Sequence, residues 1–322
     1  MVKWYPIKFT PIYKEKIWGG SKLKEVLGKE TELNNVGESW EISSVDQNVS
    51  VVSSGSFKGK TLTELIEKHK EEIVGNSVYR VFGSNFPLLI KFIDAETDLS
   101  VQLHPNDVLA KKRHNSFGKT EMWYVIQRDK NSRLVLGFNN GITASDYKKH
   151  LKEKSLPSIL NDVPVNPGDA FFIQTGTIHA IGAGVLLAEI QQTSDITYRV
   201  YDWDRVDDNG KSRRLHKREA LDAINFGFKG EKMVFDKIKN QSNQMVSCNY
   251  FTTNYLHLNC DKEINNKDKD SFVVYMCIEG EAIFSGYEFE EQVQLGETVL
   301  IPAALQEFDI KTNNVKLLEV FI

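Results

Sequence analysis

The sequence has few cysteines, no excess of basic residues and no long apolar run. Its three cysteines are odd in number and lack CxxC spacing, so neither a disulfide framework nor a zinc–thiolate cluster is expected. The formal net charge of −4 argues against nucleic acid as a partner. Because the chain has no span of about 18 apolar residues and no apolar N-terminal signal core, we expect a cytoplasmic protein without a membrane partner.

Most of the chain carries strand patterns, and only a few segments carry helical ones. Apolar runs such as FPLLIKFIDA, EMWYVIQ and SFVVYMCIEG are separated by turns rich in Gly, Asn and Asp, which is typical of barrels and sandwiches. Helical spacing predicts short helices within about 61–75 and 143–160, and a third from Leu215. The expected fold class is therefore mainly β with a small helical portion.

A weak internal repeat indicates which kind of barrel is present. EMWYVIQ followed by VNPGDAFFIQTGTIHAI resembles SFVVYMCIEG followed by VQLGETVLIPAALQEFDI, with a glycine-acid turn before an apolar strand in each copy. After that strand the first copy has His179, where the second has glutamine and glutamate. We therefore predict two cupin-type jelly-roll barrels. A metal-binding catalytic domain would span 1–230 with the helical insertions, and a degenerate cupin-like domain would span 246–322.

Four polar residues of the first copy form a candidate metal-ligand set. Gln102 and His104 share one strand face because they are two residues apart, Glu121 begins the next predicted strand, and His179 follows the apolar strand. Two imidazoles, a carboxylate and an amide oxygen suit a borderline divalent ion such as zinc. Each residue alone is more often an ordinary core or surface residue. Their joint occurrence in the first copy, and their absence from the second, favour the metal interpretation.

Basic residues near these candidates favour an anionic ligand. Lys119 precedes Glu121 by two residues, Arg199 lies in the aromatic strand pattern TYRVYDW, and Arg205 ends the same segment. Arginine offers a planar fork for phosphate and lysine a point charge, although an isolated basic residue is usually solvated. The position of Arg199 among aromatic residues is unusual for a purely solvated charge.

Several of these motifs together resemble the type I phosphomannose isomerases in their short bacterial form. The resemblance is carried by IWGG (17–20), GESWEIS (37–43), PLLIKFIDA, LSVQLHPND, GKTEMWYV, PGDAFFIQTGTIHAIG and AEIQQTSDITYRVYDWDR, which together cover most of residues 1–205. The resemblance implies a double cupin with an added helical portion. It also implies an enzyme that interconverts mannose 6-phosphate and fructose 6-phosphate, through an enediol or enediolate, with one bound zinc per chain.

The resemblance also implies roles for individual residues. The family's metal ligands fall on Gln102, His104, Glu121 and His179. The family's essential arginine falls on Arg199, and Ser100, Lys119 and Arg205 fall where phosphate or sugar contacts are expected. Glu189 is our candidate for the general base, with Lys119 and a metal-bound water as competitors. An equally weighted alternative is that Glu189 orients a histidine or the substrate.

Two other functions remain open at this point. A cupin dioxygenase or a metal epimerase also suits a two-histidine, one-carboxylate set, with Fe(II) as the metal. A sugar-phosphate-binding sensor on the same barrel would bind without turnover. For both the isomerase and the sugar-phosphate sensor, the expected partner is a phosphosugar. We expect the protein to be a monomer or weak homodimer.

Overall fold

Strands dominate the computed structural model, which describes residues 2–206 and 209–322. The strands are β1 Phe9–Thr10, β2 Ile12–Gly20, β3 Val36–Ile42, β4 Ser44–Val45, β5 Asn48–Val49, β6 Val51–Val52, β7 Leu88–Ala95, β8 Val101–Leu103, β9 Glu121–Arg128, β10 Arg133–Phe138, β11 Leu160–Pro164, β12 Ala170–Ile173, β13 His179–Ile181, β14 Val185–Gln192, β15 Tyr198–Tyr201, β16 Glu231–Lys232, β17 Ser242–Ser247, β18 Thr252–Leu258, β19 Lys262–Asn265, β20 Val273–Gly286, β21 Phe289–Gln294, β22 Thr298–Ile301 and β23 Glu307–Phe321. The helices are α1 Lys22–Glu25, α2 Leu62–His69, α3 Glu71–Val74, α4 Asn76–Phe82, α5 Asp107–His114, α6 Ala144–Lys152 and α7 Lys217–Ala223, with a 3₁₀ turn over Leu156–Ile159. The mainly β class predicted from the sequence is confirmed.

Two sheets form the N-terminal barrel. One has five strands in the order β11-β10-β13-β8-β15, and the other has seven in the order β16-β12-β9-β14-β7-β3-β2. All pairs between neighbouring strands in them are antiparallel. The space between the sheets is filled by apolar side chains that include Trp18, Leu99, Trp123 and Phe171.

Each outer face of this barrel is covered by different elements. The outer face of the five-stranded sheet packs through Val101 and Leu103 against Tyr147 of α6 and Ala220 of α7. The outer face of the seven-stranded sheet packs on the second β unit. This shared core includes Ile7 and extends into both units, and the rings of Phe86 and Phe272 lie 4.5 Å apart within it. The barrel interior is consequently the one place in this unit where strand side chains from both sheets converge.

The second β unit is built on one sheet whose strands run from β17 to β23 in the order β17-β18-β23-β20-β21, with β19 on β23 and β22 on β20. It begins at Ser242, before residue 246, and β16 joins the first barrel by pairing with β12. Its interior is an apolar cluster that includes Tyr275, Phe284 and Phe308.

The glycine-acid turn predicted by the internal repeat has the same geometry in both units. Gly168 and Gly296 have φ values of 86° and 85°, a conformation that glycine adopts without strain. In each turn the acidic side chain accepts a hydrogen bond from the backbone N–H three residues earlier, Asn166 at 3.0 Å and Gln294 at 2.9 Å. In both units the strand after the turn pairs with the strand that begins the repeated pattern, β12 with β9 and β22 with β20.

The strand pairing also aligns the two copies residue by residue. Ile173 of β12 faces Glu121, and the matching Ile301 of β22 faces Val273. Val273 is part of the apolar interior of the second unit. The candidate carboxylate ligand of the first copy is therefore replaced by an aliphatic side chain in the second.

The helical segment differs from the single helix that the spacing predicts over 61–75. A capping box at Thr61 starts α2 as expected. The helix is interrupted at Lys70, which has a φ of 48°, and a second helix, α3, follows. The pattern also missed α4 and α5. No helix in the described residues is long and apolar enough to cross a membrane.

Gly75 connects this helical segment to the second unit. It has a φ of 90°, and a Cβ atom there would lie 2.3 Å from the carbonyl oxygen of Asp270. The Asp270 carboxylate accepts hydrogen bonds from the backbone N–H groups of Asn76 at 2.7 Å and Ser77 at 2.9 Å, at the start of α4. The backbones at Gly75 and Asp270 can therefore approach this closely only because residue 75 is a glycine.

We predict that Gly75→Ala lowers the free energy of unfolding more than Gly83→Ala does. Both positions have positive φ, but a Cβ atom at Gly83 meets no atom within 4 Å. The extra loss from the overlap with Asp270 should be about 1–3 kcal/mol. Urea unfolding of both variants measures the difference, and equal losses would contradict the proposed backbone constraint.

Candidate metal centre

His104, Glu121 and His179 come together in the interior of the N-terminal barrel. Each is buried, and one potential ligand atom from each lies within 4.8 Å of the others. His104 Nε2 lies 3.5 Å from Glu121 Oε2, and His179 Nε2 lies 3.4 Å from Glu121 Oε1. In the described residues this is the only group of three such side chains that could hold a metal ion.

The two sheets bring these residues together from positions far apart in the chain. β8 and β13 are neighbours in the five-stranded sheet, with Gln102 opposite His179, and His104 directly follows β8. Glu121 begins β9 in the facing seven-stranded sheet. The candidate ligands therefore span the interior between two sheets, although Glu121 begins the next strand along the chain after that of Gln102.

The backbone fixes the orientation of both imidazole rings. His104 Nδ1 lies 2.8 Å from the carbonyl oxygen of Ile196, and His179 Nδ1 lies 3.0 Å from that of Thr177. An N–H donated from Nδ1 leaves the lone pair on Nε2, the arrangement that typically orients a metal-ligating histidine. The ring tautomer thus suits metal binding at Nε2.

Two buried polar atoms at the centre fit a metal ion. His179 Nε2 and Glu121 Oε1 have no hydrogen-bond partner among the described residues. A buried polar atom without a partner is costly, and a metal ion would satisfy both atoms at once. The chemistry of the donor set, two nitrogens and a carboxylate, suits a borderline divalent ion.

Burial keeps the two imidazoles neutral. Desolvation, together with the positive charge of Lys119, lowers the pKa of His104 well below its usual value and that of His179 to about 4. Desolvation raises the pKa of Glu121 to about 7, against the opposing charge of Lys119. Neutral imidazole is the form that binds metal, so both histidines are in the required state at neutral pH.

Gln102 and Ser100 lie beside these ligands on the same face of the chain. Both side chains line a cavity that Lys119 also lines, and Ser100 Oγ lies 3.5 Å from Gln102 Oε1. Gln102 is half-buried. Its role as a fourth ligand stays a prediction.

Lys119 lies at the centre of the buried charges. Its Nζ donates to Glu121 Oε2 and lies 3.2 Å from His104 Nε2 and 3.5 Å from Glu189 Oε1. The side chain is almost fully buried. Its position next to the ligand atoms means that its charge acts directly on the centre.

A row of four side chains crosses the seven-stranded sheet beside Lys119. In the pairing register, Trp40 faces Lys91, Lys91 faces Glu189, and Glu189 faces Trp123. Glu189 Oε1 lies 3.2 Å from Lys91 Nζ, and Glu189 Oε2 accepts a hydrogen bond from Trp123 Nε1 at 3.0 Å. Although burial opposes it, the charges of Lys119 and Lys91 lower the pKa of Glu189 to about 2.

The alternation of basic and acidic side chains continues from Lys91 to the edge of the sheet through Glu38 and Lys16, and the sequence analysis identified none of these three residues. Lys91 Nζ lies 3.8 Å from Glu38 Oε2, and Lys16 Nζ lies 3.2 Å from Glu38 Oε1. Glu38 also accepts a hydrogen bond from Trp40 Nε1 at 2.6 Å. The signal available in the sequence was the alternation KEK and ESW in β2 and β3, which places charged residues on one face of each strand.

These residues line a cavity of about 390 Å³ in which basic groups outnumber acidic ones by six to three. The basic residues are Lys14, Lys16, Lys91, Lys119, Arg199 and Arg213, and the acidic residues are Glu38, Glu189 and Asp195. The excess of positive charge favours an anionic ligand.

The two arginines expected at the site lie in different environments. Arg199 is half-buried, lines the cavity and donates from Nε to Ser100 Oγ at 3.2 Å. Arg205 is not among the lining residues, and its guanidinium donates to Asp202 at 2.8 Å and to Thr97 at 3.4 Å. The phosphate contact expected of Arg205 therefore stays a prediction, which this geometry does not favour.

Comparison with known proteins identifies related chains along most of the sequence. A family model described as the catalytic domain of type I phosphomannose isomerase matches residues 7–135, and one described as the cupin domain of mannose-6-phosphate isomerase matches residues 241–322. Mannose-6-phosphate isomerase ManA of Bacillus subtilis is 36% identical over 310 residues, which cover 95% of this chain and 96% of that protein. A mannose-6-phosphate isomerase of Streptococcus mutans is 40% identical over 213 residues, 66% of each chain.

Solved structures match the whole fold. The mannose 6-phosphate isomerase from Bacillus subtilis superposes with a TM-score of 0.89 at 33% identity, over 98% of this chain and 99% of that one. A mutant of phosphomannose isomerase from Salmonella typhimurium matches with a TM-score of 0.77 at 17% identity, over 98% and 99% of the two chains, and this likeness concerns the fold alone. The resemblance inferred from the sequence motifs is confirmed.

We predict that His179→Ala removes the divalent metal from the protein. The variant lacks one of three buried ligands, and the remaining pair cannot enclose the ion. Each protein is incubated with excess Zn²⁺, dialysed and analysed for metal, and we expect about one ion per chain in the wild type.

His257→Ala is the matched control, because His257 lies in the second unit and bonds Asn314 at 3.0 Å. It should retain as much metal as the wild type. Full metal content in the His179→Ala protein would contradict the assignment of the centre.

Proposed function

Because the chain belongs to the type I phosphomannose isomerase family, we propose that it interconverts mannose 6-phosphate and fructose 6-phosphate with one bound zinc ion. The observation that carries the proposal is the buried His104, Glu121 and His179 group, which is contacted by Lys119, one of the basic residues that line the neighbouring cavity. A phosphorylated sugar supplies both an anion for the basic lining and oxygen atoms for a metal. Gln102 is the fourth ligand in this proposal.

The reaction moves a proton between C1 and C2 of the open sugar and develops negative charge on the neighbouring oxygen. Zinc, when bound by these four residues, supplies Lewis acidity that lowers the cost of this charge. The chain itself adds fixed positive charge from Arg199, which faces Gln102 in the pairing register. Hydrogen bonds to Ser100 and to the carbonyl oxygen of Arg214 hold its guanidinium, so little reorganisation is required during the reaction.

We assign Glu189 to positioning, in preference to the role of general base. A carboxylate with a pKa of about 2 is almost fully ionised at neutral pH and is a weak proton acceptor. Its contacts instead hold Lys91, Lys119 and the Trp123 ring in place. Lys119, which lies between the metal ligands and Glu189, is the stronger candidate for proton transfer.

The chemistry in this proposal is confined to the N-terminal domain, residues 1–230. The second domain, from 246 to 322, has an apolar interior where the first has ligands. A monomer or weak homodimer that acts in the cytoplasm is part of the same proposal.

The direct test is a coupled assay of mannose 6-phosphate conversion to fructose 6-phosphate, with and without a chelator. We expect turnover that the chelator abolishes and added Zn²⁺ restores. Substrate binding without turnover, in protein shown to contain zinc, would favour the sugar-phosphate sensor, and O₂ consumption with Fe(II) would favour a dioxygenase.

We predict that Arg199→Ala keeps its zinc and lowers kcat/KM by about 10²- to 10³-fold. The loss follows from removing a fixed positive charge beside the developing oxyanion. Metal analysis and steady-state kinetics measure the two quantities on the same preparation.

Arg128→Ala is a suitable control, since Arg128 bonds Asn166 at the far end of β9. Its kinetics should equal those of the wild type. An Arg199→Ala enzyme with an unchanged rate would refute the electrostatic role.

A further inference from the structure

A pair of arginines lines the cavity on the side of Ser100. Arg199, on β15, faces Gln102 of β8 in the pairing register and bonds Ser100. Arg213 comes from the segment after β15 and lines the same cavity. Neither the family resemblance nor the sequence pattern pointed to Arg213.

Backbone contacts fix the segment that carries Arg213 against β15. The N–H of His216 donates to the carbonyl oxygen of Arg199 at 2.7 Å, and Arg199 Nη1 donates to the carbonyl oxygen of Arg214 at 3.1 Å. The segment therefore runs beside the strand. This pairing explains how a residue fourteen positions beyond Arg199 reaches the same cavity.

Asp202 orients the Arg213 guanidinium. Arg213 donates from Nε to Asp202 Oδ2 at 2.7 Å and from Nη2 to Asp202 Oδ1 at 2.5 Å, a side-on fork on a buried carboxylate. A guanidinium held through Nε and one terminal nitrogen still has N–H groups on its other terminal nitrogen for a ligand. Asp202 thus positions Arg213 without using all of its donors.

Two adjacent arginines at one cavity wall form a site for an anion. Burial and the positive charge of Arg213 both lower the pKa of Arg199, which indicates that the two cations repel each other. Phosphate accepts several hydrogen bonds from arginine forks and would offset this repulsion. Ser100 adds a hydroxyl donor within the same wall.

The position of this wall also suits a hexose 6-phosphate. Arg199 faces Gln102 in the pairing register, and Ser100 Oγ lies 3.5 Å from Gln102 Oε1, so the wall begins beside the proposed fourth metal ligand. Arg213 extends the wall beyond Arg199, and Gln102 and Lys119 line the same cavity. A phosphate held by Arg213 therefore keeps the carbon chain of the sugar in the cavity that these two residues line.

We propose that Arg213 binds the substrate phosphate, together with Ser100 and next to Arg199. The proposal rests on the function proposed above and assigns the phosphate contact to Arg213, whereas the sequence resemblance had assigned it to Arg205. Asp202 acts as a positioning residue for Arg213.

A second pair of basic residues, Lys14 and Lys16, lines the same cavity and competes with Arg213 for the role of phosphate contact. Lys14 lies 4.9 Å from the centre of the Trp40 ring on the opposite side of the cavity and donates to Asn48. Lys16, beside it, is paired with Glu38. Lys14 is therefore the main competitor for the phosphate.

The test compares Arg213→Ala with Arg214→Ala in zinc-supplemented enzyme. Arg214 is the neighbouring residue, but its side chain is 76% exposed and pairs with Glu219. Removing Arg213 should leave the protein folded, since Arg205 still pairs with Asp202. We expect the KM for mannose 6-phosphate to rise about 10- to 100-fold in Arg213→Ala and to stay unchanged in Arg214→Ala.

Further measurements separate phosphate binding from a structural defect. Competitive inhibition by inorganic phosphate should weaken in Arg213→Ala by a factor similar to the KM change. Any slow turnover of free mannose should be the same in both variants. Arg213→Lys, which retains the charge and loses the fork, should recover part of the affinity.

The outcomes distinguish this proposal from the proposed function. A wild-type enzyme without isomerase activity would refute the function. An active wild type with normal KM in Arg213→Ala, and a raised KM in Lys14→Ala or Arg205→Ala, would overturn the assignment of Arg213 and leave the function intact.

Discussion

The interior of the N-terminal barrel depends on alternation of positive and negative charge. Transfer of a single carboxylate or ammonium from water to a buried position costs several kcal/mol or more unless it is paired. Here Lys16, Glu38, Lys91, Glu189 and Lys119 follow one another with opposite signs, and the series ends at the ligand Glu121. Each charge is stabilised by the next, so a strongly polar site can persist between two apolar sheets.

The two units differ at the position of the candidate carboxylate ligand, and among the described residues only the first unit holds a group that could bind a metal ion. The two units share the glycine-acid turn and its hydrogen bonds, so their backbone geometry is similar. The second unit has Val273 at the position that matches Glu121, and its interior is closed by aromatic and aliphatic residues. The buried carboxylate of this unit, Glu319, is paired with Lys269 and Tyr275, and the described residues of the unit include no group of three side chains that could hold a metal ion. Fold and chemistry are thus separable in a single chain.

The second unit still contributes to the site through the core that both units share. The outer face of the seven-stranded sheet packs on residues such as Phe272 and Leu318, while its inner face carries Lys91 and Glu189. Close packing on the outer face restrains the strands, and the strands hold the charged row in register. Rigid strands are a more accurate support for a functional site than loops.

The sequence by itself determined the local features: the mainly β class, the repeated turn, and the shared face of Ser100, Gln102 and His104. These follow from the two-residue period of a strand, which is a property of neighbouring residues. It also marked Glu121 and His179 by residue type and motif. Only the tertiary structure decided that the ligands span two facing sheets, that Lys91 and Glu38 join them, and that Arg213 lines the cavity while Arg205 does not. The physical reason is that these relations depend on which strands pair and how the segment after β15 folds back, and such long-range contacts leave no local period in the sequence.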